Sequence, residues 1–69
     1  MSFKRQRVLA VLSRHGVAVL REGASHTIIG KPGGPSTSIP RHAELNRFTV
    51  RGIVRQLGLD WKQIEKEVR

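Results

Sequence analysis

The first part of the chain carries an apolar stripe at helical spacing. Side chains three and four residues apart share one face of an α-helix, so the stripe predicts a helix that buries this face. We expect Ser2 to cap the N-terminus of this helix and Gly16 to end it. The stripe consists of Val8, Leu9, Val11 and Leu12.

Three short runs rich in β-branched residues follow and predict strands over 17–21, 26–29 and 36–39. Residues 22–25 (Glu-Gly-Ala-Ser) separate the first two runs and predict a hairpin with a short loop. Residues 31–35 (Lys-Pro-Gly-Gly-Pro) predict a turn, because Pro fixes φ and Gly tolerates positive φ. We expect Pro40 to end the third strand.

A second helical stripe follows an irregular stretch over 41–48. We expect Thr49 to cap this helix and Gly58 to end it. Its apolar positions are Val50, Ile53, Val54 and Leu57.

A short third helix is predicted after this, because Asp60 and Gln63 form a capping pattern. We expect its apolar side to pack in the core or against a partner, and we do not expect its tryptophan to stack on bases. That side carries Trp61, Ile64 and Val68.

These elements predict an α+β domain with the order α-β-β-β-α and a short C-terminal helix. Two helices then cover one face of a three-stranded antiparallel sheet, which is the layout of the double-stranded-RNA-binding fold. No linker or repeat is visible in the 69 residues. We therefore expect a single domain over 1–69, with its core in 4–59 and the short helix in 60–69.

The chain is strongly basic, with 13 Lys and Arg against 5 Asp and Glu and a formal net charge of +8. The whole excess lies in residues 1–55, because residues 56–69 carry three residues of each sign. Such a field attracts polyanions, and nucleic acid is the abundant polyanion of the cytosol. A solubility charge, or a surface for an acidic protein, is the alternative interpretation.

Composition argues against several classes of protein. The chain has no cysteine, and its 3 histidines lack zinc-ligand spacing, so we expect no disulfide, no metal and no cofactor. The longest apolar run, 17–20, is too short to span a bilayer, and no signal-peptide pattern is present. We therefore expect a cytoplasmic protein.

His26 stands where a turn of small residues, 23–25, gives way to a strand. Such a turn lets a phosphate approach closely, and a strand holds an imidazole on rigid backbone. Imidazole has an ordinary pKa of about 6.5, so it exchanges protons near neutral pH. His26 is therefore the candidate catalytic residue, and a half-exposed surface histidine is the alternative.

RNA supplies its own nucleophile, the 2′-hydroxyl, so its cleavage needs a base, an acid and positive charge but no metal. His26 is the candidate for the base or the acid. His42 is the candidate for the complementary role, and a histidine that bonds the backbone of its own loop is the alternative there. We expect His15 to cap the end of the first helix.

Further residues are candidates for phosphate binding. We expect Ser25 and the backbone amide of Gly23 to face a phosphate oxygen, and Lys31 and Arg41 to supply positive charge. The i, i+4, i+8 spacing in the second helix also predicts a row of guanidinium groups, with an ordinary solvated face as the alternative. This row consists of Arg47, Arg51 and Arg55.

Four short motifs then occur in a characteristic order: Arg14-His15-Gly16-Val17, Gly23-Ala24-Ser25-His26, Ile39-Pro40-Arg41-His42 and the segment 49–59. Their order and spacing over residues 4–59 resemble the HicA-type toxins of toxin–antitoxin pairs. The resemblance implies a messenger-RNA interferase, with His26 as the catalytic histidine and a HicB-type antitoxin as its inhibitor. Many members have Ser-His directly after Gly, where Ala24 intervenes here, and an aromatic residue where Val17 stands.

Two other classes of function agree with the same residues. A non-catalytic module would bind double-stranded RNA through its shape and its phosphates. A basic interaction domain would bind an acidic protein. A small acidic reading frame beside the gene would favour the toxin over both.

Overall fold

The computed structural model of the protein describes residues 2–69 as three helices and five strands. The helices are Arg5–Arg14 (α1), Arg47–Gln56 (α2) and Trp61–Val68 (α3), and the strands are Ser2–Lys4 (β1), Ala18–Glu22 (β2), His26–Gly30 (β3), Ser36–Pro40 (β4) and Glu44–Asn46 (β5). The predicted α+β class and its α-β-β-β-α order are confirmed.

The main sheet has the antiparallel order β2-β3-β4, with β3 in the centre. Thr27 pairs with Ile39 across β3 and β4, and His26 pairs with Pro40. Because successive side chains of a strand point to opposite faces, Thr27 and Ile29 share one face and His26 lies on the other. Thr27 and Ile29 are buried and His26 is exposed, so the helices cover the Thr27 face.

One apolar core joins the two main helices to this face of the sheet. The core includes Val8, Val11 and Leu12 of α1, Val50, Ile53 and Val54 of α2, and Ile29 and Ile39 of the sheet. Ile64 and Val68 of α3 complete it, which confirms the predicted core-packing role of the third helix.

Both main helices begin at the end of the sheet that carries His26. The side chain of Arg5, at the start of α1, bonds the Pro40 carbonyl. Thr37 donates to Gln56 at the other end of α2, so α2 runs antiparallel to β4. The helix N-termini and His26 therefore lie at one end of the molecule.

A second, two-stranded sheet was not predicted. Strand β1 pairs with β5, and Phe3 lies opposite Leu45 with both side chains buried. The expected cap role of Ser2 is therefore wrong. Ser2 bonds Glu44, its Oγ 2.6 Å from Oε1, and α1 begins after Lys4 without a side-chain cap. Strand β5 of this two-stranded sheet also lies within the stretch 41–48, which was predicted to be irregular.

The predicted cap of α2 is also wrong, because the helix begins before Thr49. Asn46 is the N-cap, and its Oδ1 accepts the Thr49 N–H at 2.8 Å. Asp60 caps α3 as predicted, accepting from the Lys62 N–H at 3.3 Å. Gln63 does not complete the capping pattern, because it donates to Glu67 at 2.8 Å. No helix within 2–69 has the length and apolar character needed to cross a bilayer.

Gly30→Ala is expected to destabilise the protein, because β4 approaches β3 closely at this point. An added Cβ would lie 2.7 Å from the Ser36 Cβ and 2.8 Å from the Pro35 carbonyl oxygen. Overpacking of this kind costs about 1–3 kcal/mol, and each kcal/mol lowers the melting temperature of so small a domain by about 4–8 °C. Thermal and urea unfolding measure the effect.

Gly52→Ala is the matched control, because a Cβ at this position in α2 has no atom within 4 Å. It is expected to stabilise the protein by about 0.5–1 kcal/mol through helix propensity. Equal stability of the two variants would contradict the close approach at Gly30.

Candidate active site

His26 is the first residue of β3 and follows a turn closed by backbone. The Gly23 N–H donates to the His26 carbonyl oxygen at 2.8 Å. A Cβ at position 23 would lie 2.7 Å from that oxygen, so the turn requires glycine there. The turn fixes the backbone of His26 while its side chain stays exposed.

A buried threonine lies beneath this turn, on the opposite face of β3. Thr27 is fully buried. Its hydroxyl accepts from Arg5 Nη2 at 2.7 Å and donates to Glu22 Oε1 at 2.7 Å. Both hydrogen-bonding roles of the hydroxyl are therefore filled, by residues of α1 and β2.

The two partners of Thr27 extend the network to β4. Arg5 Nε donates to the Pro40 carbonyl oxygen at 2.9 Å. Glu22 also accepts from Arg41 Nη2 at 2.6 Å. The Arg41 hydrogen bond, and then that of Thr27, lowers the pKa of the Glu22 carboxyl below its usual range. Glu22 is therefore a carboxylate held in the network.

His42 lies two residues beyond Pro40, the cross-strand partner of His26. Its side chain is exposed. Within residues 2–69, neither His26 nor His42 makes a side-chain hydrogen bond, whereas His15 does. His15 caps the end of α1 as expected, and its Nε2 lies 3.1 Å from Glu67 Oε2 of α3. His42 thus follows the end of β4 that pairs with His26, whereas His15 joins α1 to α3.

A polar groove of about 470 Å³ opens beside the network. Its lining includes the basic residues Lys4, Arg5 and Arg41. Ser25 is exposed in the turn before His26. The Gly23 amide is already bonded to His26 within that turn.

The remaining phosphate candidates lie elsewhere. Lys31 follows the far end of β3, about 16 Å along the strand from His26. Arg47 Nε bonds Glu65 Oε2 at 3.1 Å and its guanidinium lies 6.0 Å from the centre of the Trp61 ring. Arg51 and Arg55 are exposed and form no ion pair in the described part of the chain. The predicted arginine row is therefore divided between a helix–helix contact and free surface.

Trp61 is partly buried against the core and meets Phe3 edge-on at 6.3 Å between ring centroids. Its expected packing role is confirmed. Among residues 2–69, no group of three or more His, Cys, Asp or Glu side chains is arranged to hold a metal ion.

The sequence analysis did not identify Arg5, Glu22 and Thr27 as site residues. One signal was available for Thr27: strand alternation places it on the face of Ile29, where a buried hydroxyl needs a partner. Nothing local indicates Arg5 as that partner, because 22 residues separate the two positions.

Comparison with known proteins gives a family match over most of the chain. A family model described as the HicA toxin of bacterial toxin–antitoxin systems matches residues 5–59, well over half of the chain. No curated protein and no solved structure gives a match. The matched segment contains the His26 turn, the Thr27 network and the whole main sheet. The chain therefore belongs to the HicA toxin family of bacterial toxin–antitoxin systems, in which a toxin is paired with an antitoxin.

Proposed function

We propose that this toxin is a metal-independent endoribonuclease that uses His26 for proton transfer. One observation carries the proposal: an exposed imidazole without a hydrogen-bond partner in residues 2–69 stands on a rigid strand end, which the closed turn at Gly23 holds in place. A structural histidine in a small domain would bond a neighbour, as His15 bonds Glu67. His26 is instead free to contact a ligand.

The reaction follows from the chemistry of RNA. A base removes the proton of the 2′-hydroxyl, whose oxygen then forms a bond to the adjacent phosphorus. The bond from phosphorus to the 5′-oxygen breaks, and an acid donates a proton to that oxygen. The products are a 2′,3′-cyclic phosphate and a free 5′-hydroxyl, so neither water nor metal is needed for this step.

His26 and His42 are the proposed pair for these two proton transfers. Neighbouring strands lie about 5 Å apart, so the backbone of Pro40 is close to that of His26. His42 follows two residues later, a reach of at most about 7 Å. Two exposed imidazoles at this separation are suited to contact opposite sides of one phosphodiester.

Positive charge for the phosphorane comes from the same end of the molecule. Lys4 and Arg41 line the groove, and Ser25 is exposed in the turn. Hydrogen bonds from cationic donors to phosphate are stronger than neutral ones. We assign phosphate contact at the reacting bond to these three residues, and contact with more distant phosphates to Lys31, Arg51 and Arg55.

Messenger RNA is the proposed substrate, which implies that the toxin acts in the cytoplasm. The net charge of +8 gives the domain general affinity for polyanions. Cleavage of messages would arrest translation until the antitoxin inhibits the toxin. An acidic antitoxin surface would complement this charge.

His26→Ala is expected to abolish RNA cleavage and growth arrest, because loss of a general acid or base lowers the rate by about 10²- to 10⁴-fold. RNA affinity should change little, because it depends on dispersed Lys and Arg contacts. Cleavage of a labelled RNA by purified protein and growth after induction measure the effects.

His15→Gln is the matched control for His26→Ala. It removes an imidazole whose contact with Glu67 lies at the far end of α1, and it should retain cleavage at temperatures where the protein is folded. Cleavage by His26→Ala at the parental rate would refute the catalytic assignment.

Cleavage is expected to persist in excess EDTA, because the proposed proton transfers require only imidazoles and cationic side chains. The measurement is the cleavage rate of a labelled RNA before and after dialysis against the chelator. Loss of activity that Mg²⁺ or Mn²⁺ restores would contradict the mechanism.

Thr27→Val is expected to lower the cleavage rate while leaving RNA affinity unchanged. Val keeps the shape of Thr but removes the hydroxyl that joins Arg5 to Glu22, so the network loses the two hydrogen bonds that hold these side chains against β3. Single-turnover kinetics below the melting temperature separate the rate from the affinity. Thr27→Ser restores the hydroxyl and should restore the rate, whereas equal rates in Thr27→Val and the parent would exclude a positioning role.

A further inference from the structure

Phe48 is exposed over 77% of its surface, although the other apolar side chains of its helix are buried. Burial of a side chain of this size would stabilise the fold by about 1.5–3 kcal/mol, and the exposed ring gains almost none of this. Phe also has a lower helix propensity than Ala or Leu. Neither packing nor local structure therefore accounts for Phe48.

The start of α2 does not need Phe48 for its own stability. Asn46 caps the helix, and the two positions of a hydrophobic staple around this cap are filled by Leu45 and Val50, both buried. Phe48 lies between these positions and points away from the core.

Phe48 shares the outer side of α2 with Arg51, Gly52 and Arg55, at spacings of three, four and seven residues. The buried positions Val50, Ile53 and Val54 lie on the opposite side of the helix. A Cβ at Gly52 would meet no atom within 4 Å, so the surface beside the ring is open. We call these four residues the α2 stripe.

The charged side chains of the α2 stripe are all positive. Residues 45–59 contain three arginines and no acidic residue. Arg47 is paired with Glu65, whereas Arg51 and Arg55 form no ion pair within residues 2–69. The stripe therefore presents one aromatic ring and two available guanidinium groups.

We propose that the α2 stripe binds single-stranded RNA, with an unpaired base stacked on Phe48 and phosphates on Arg51 and Arg55. Stacking on an aromatic ring suits every base and needs no surrounding apolar surface. A protein docking site is typically an apolar centre of several side chains with a polar rim, and the stripe has a single apolar side chain. These observations favour a nucleic-acid ligand over a protein.

The position of the α2 stripe relates it to the proposed active site. Phe48 lies at the N-terminal end of α2, which is the end of the molecule that carries His26, and Arg55 lies about 10 Å further along the helix. His26 lies on the solvent face of the sheet and Phe48 on the outer side of the helix layer, so an RNA bound at both would pass around this end of the molecule. The inference rests on the proposed RNA substrate and adds a requirement for unpaired bases outside the cleavage site.

The test measures binding in His26→Ala protein, so that the RNA stays intact. Phe48→Leu should weaken binding of a single-stranded oligoribonucleotide by about 5- to 150-fold, the range for loss of one stacked base. Phe48→Trp should retain binding. Two other ligands serve as controls: a duplex, and an oligonucleotide that lacks bases but keeps its phosphates. Each should bind with the same affinity whether position 48 is Phe or Leu.

The salt dependence separates stacking from charge. Phe48→Leu should leave the slope of log affinity against log salt unchanged, whereas Arg51→Gln should reduce its magnitude by about 0.7. Lys62→Gln is the control for loss of one positive charge in the neutral C-terminal segment. It should change binding less than Arg51→Gln.

A direct spectroscopic readout is available because Trp61 is the single tryptophan of the chain. In the double variant Phe48→Trp, Trp61→Phe, emission from position 48 should be quenched by the single-stranded oligonucleotide and unchanged by the one that lacks bases. Equal quenching by both, or unchanged single-strand affinity in Phe48→Leu, would overturn the proposal. Absence of RNA cleavage by the parent protein, with these binding differences intact in the variants, would refute the proposed ribonuclease and leave the stripe assignment standing.

Discussion

The buried hydroxyl of Thr27 is the interaction on which the candidate site depends. A buried polar group without a partner costs about 1–3 kcal/mol, and this hydroxyl avoids that cost by bonding Arg5 and Glu22. Arg5 also holds the carbonyl of Pro40, and Glu22 holds Arg41. One side chain in β3 thus fixes the start of α1, the end of β2 and the end of β4 relative to one another.

The same strand carries both the structural group and the proposed catalytic one. Thr27 faces the core and His26 faces solvent, because successive residues of a strand point to opposite faces. A register shift of one residue would exchange them, placing an imidazole in the core and exposing the threonine. The closed turn at Gly23 and the pairing of His26 with Pro40 hold the register. Rigidity of this kind is what proton transfer requires of a general acid or base.

The arginines of the domain serve two purposes, which the net charge does not distinguish. Arg5, Arg41 and Arg47 bond groups within the protein and join its elements. Arg51 and Arg55 face solvent on α2, where no carboxylate competes for them. Removing a paired arginine therefore disturbs the fold as well as the charge, whereas removing a free one changes mainly the attraction of polyanions. The antitoxin and the proposed RNA substrate are expected to compete for the free surface.

The amino-acid sequence alone determined the elements whose signals are local. Helical spacing placed α1, α2 and α3, the Gly23 and Lys31 turns separated the three main strands, and Asp60 marked the start of α3. Only the tertiary structure decided the β1–β5 ribbon, the Asn46 cap and the Thr27 network. Three-residue strands have no periodicity of their own and form because Phe3 and Leu45 meet across 42 residues of chain. Likewise, strand alternation could assign Thr27 to the core. Its partner Arg5 depends on how α1 packs on the sheet, and the packing of distant elements leaves no local pattern in the sequence.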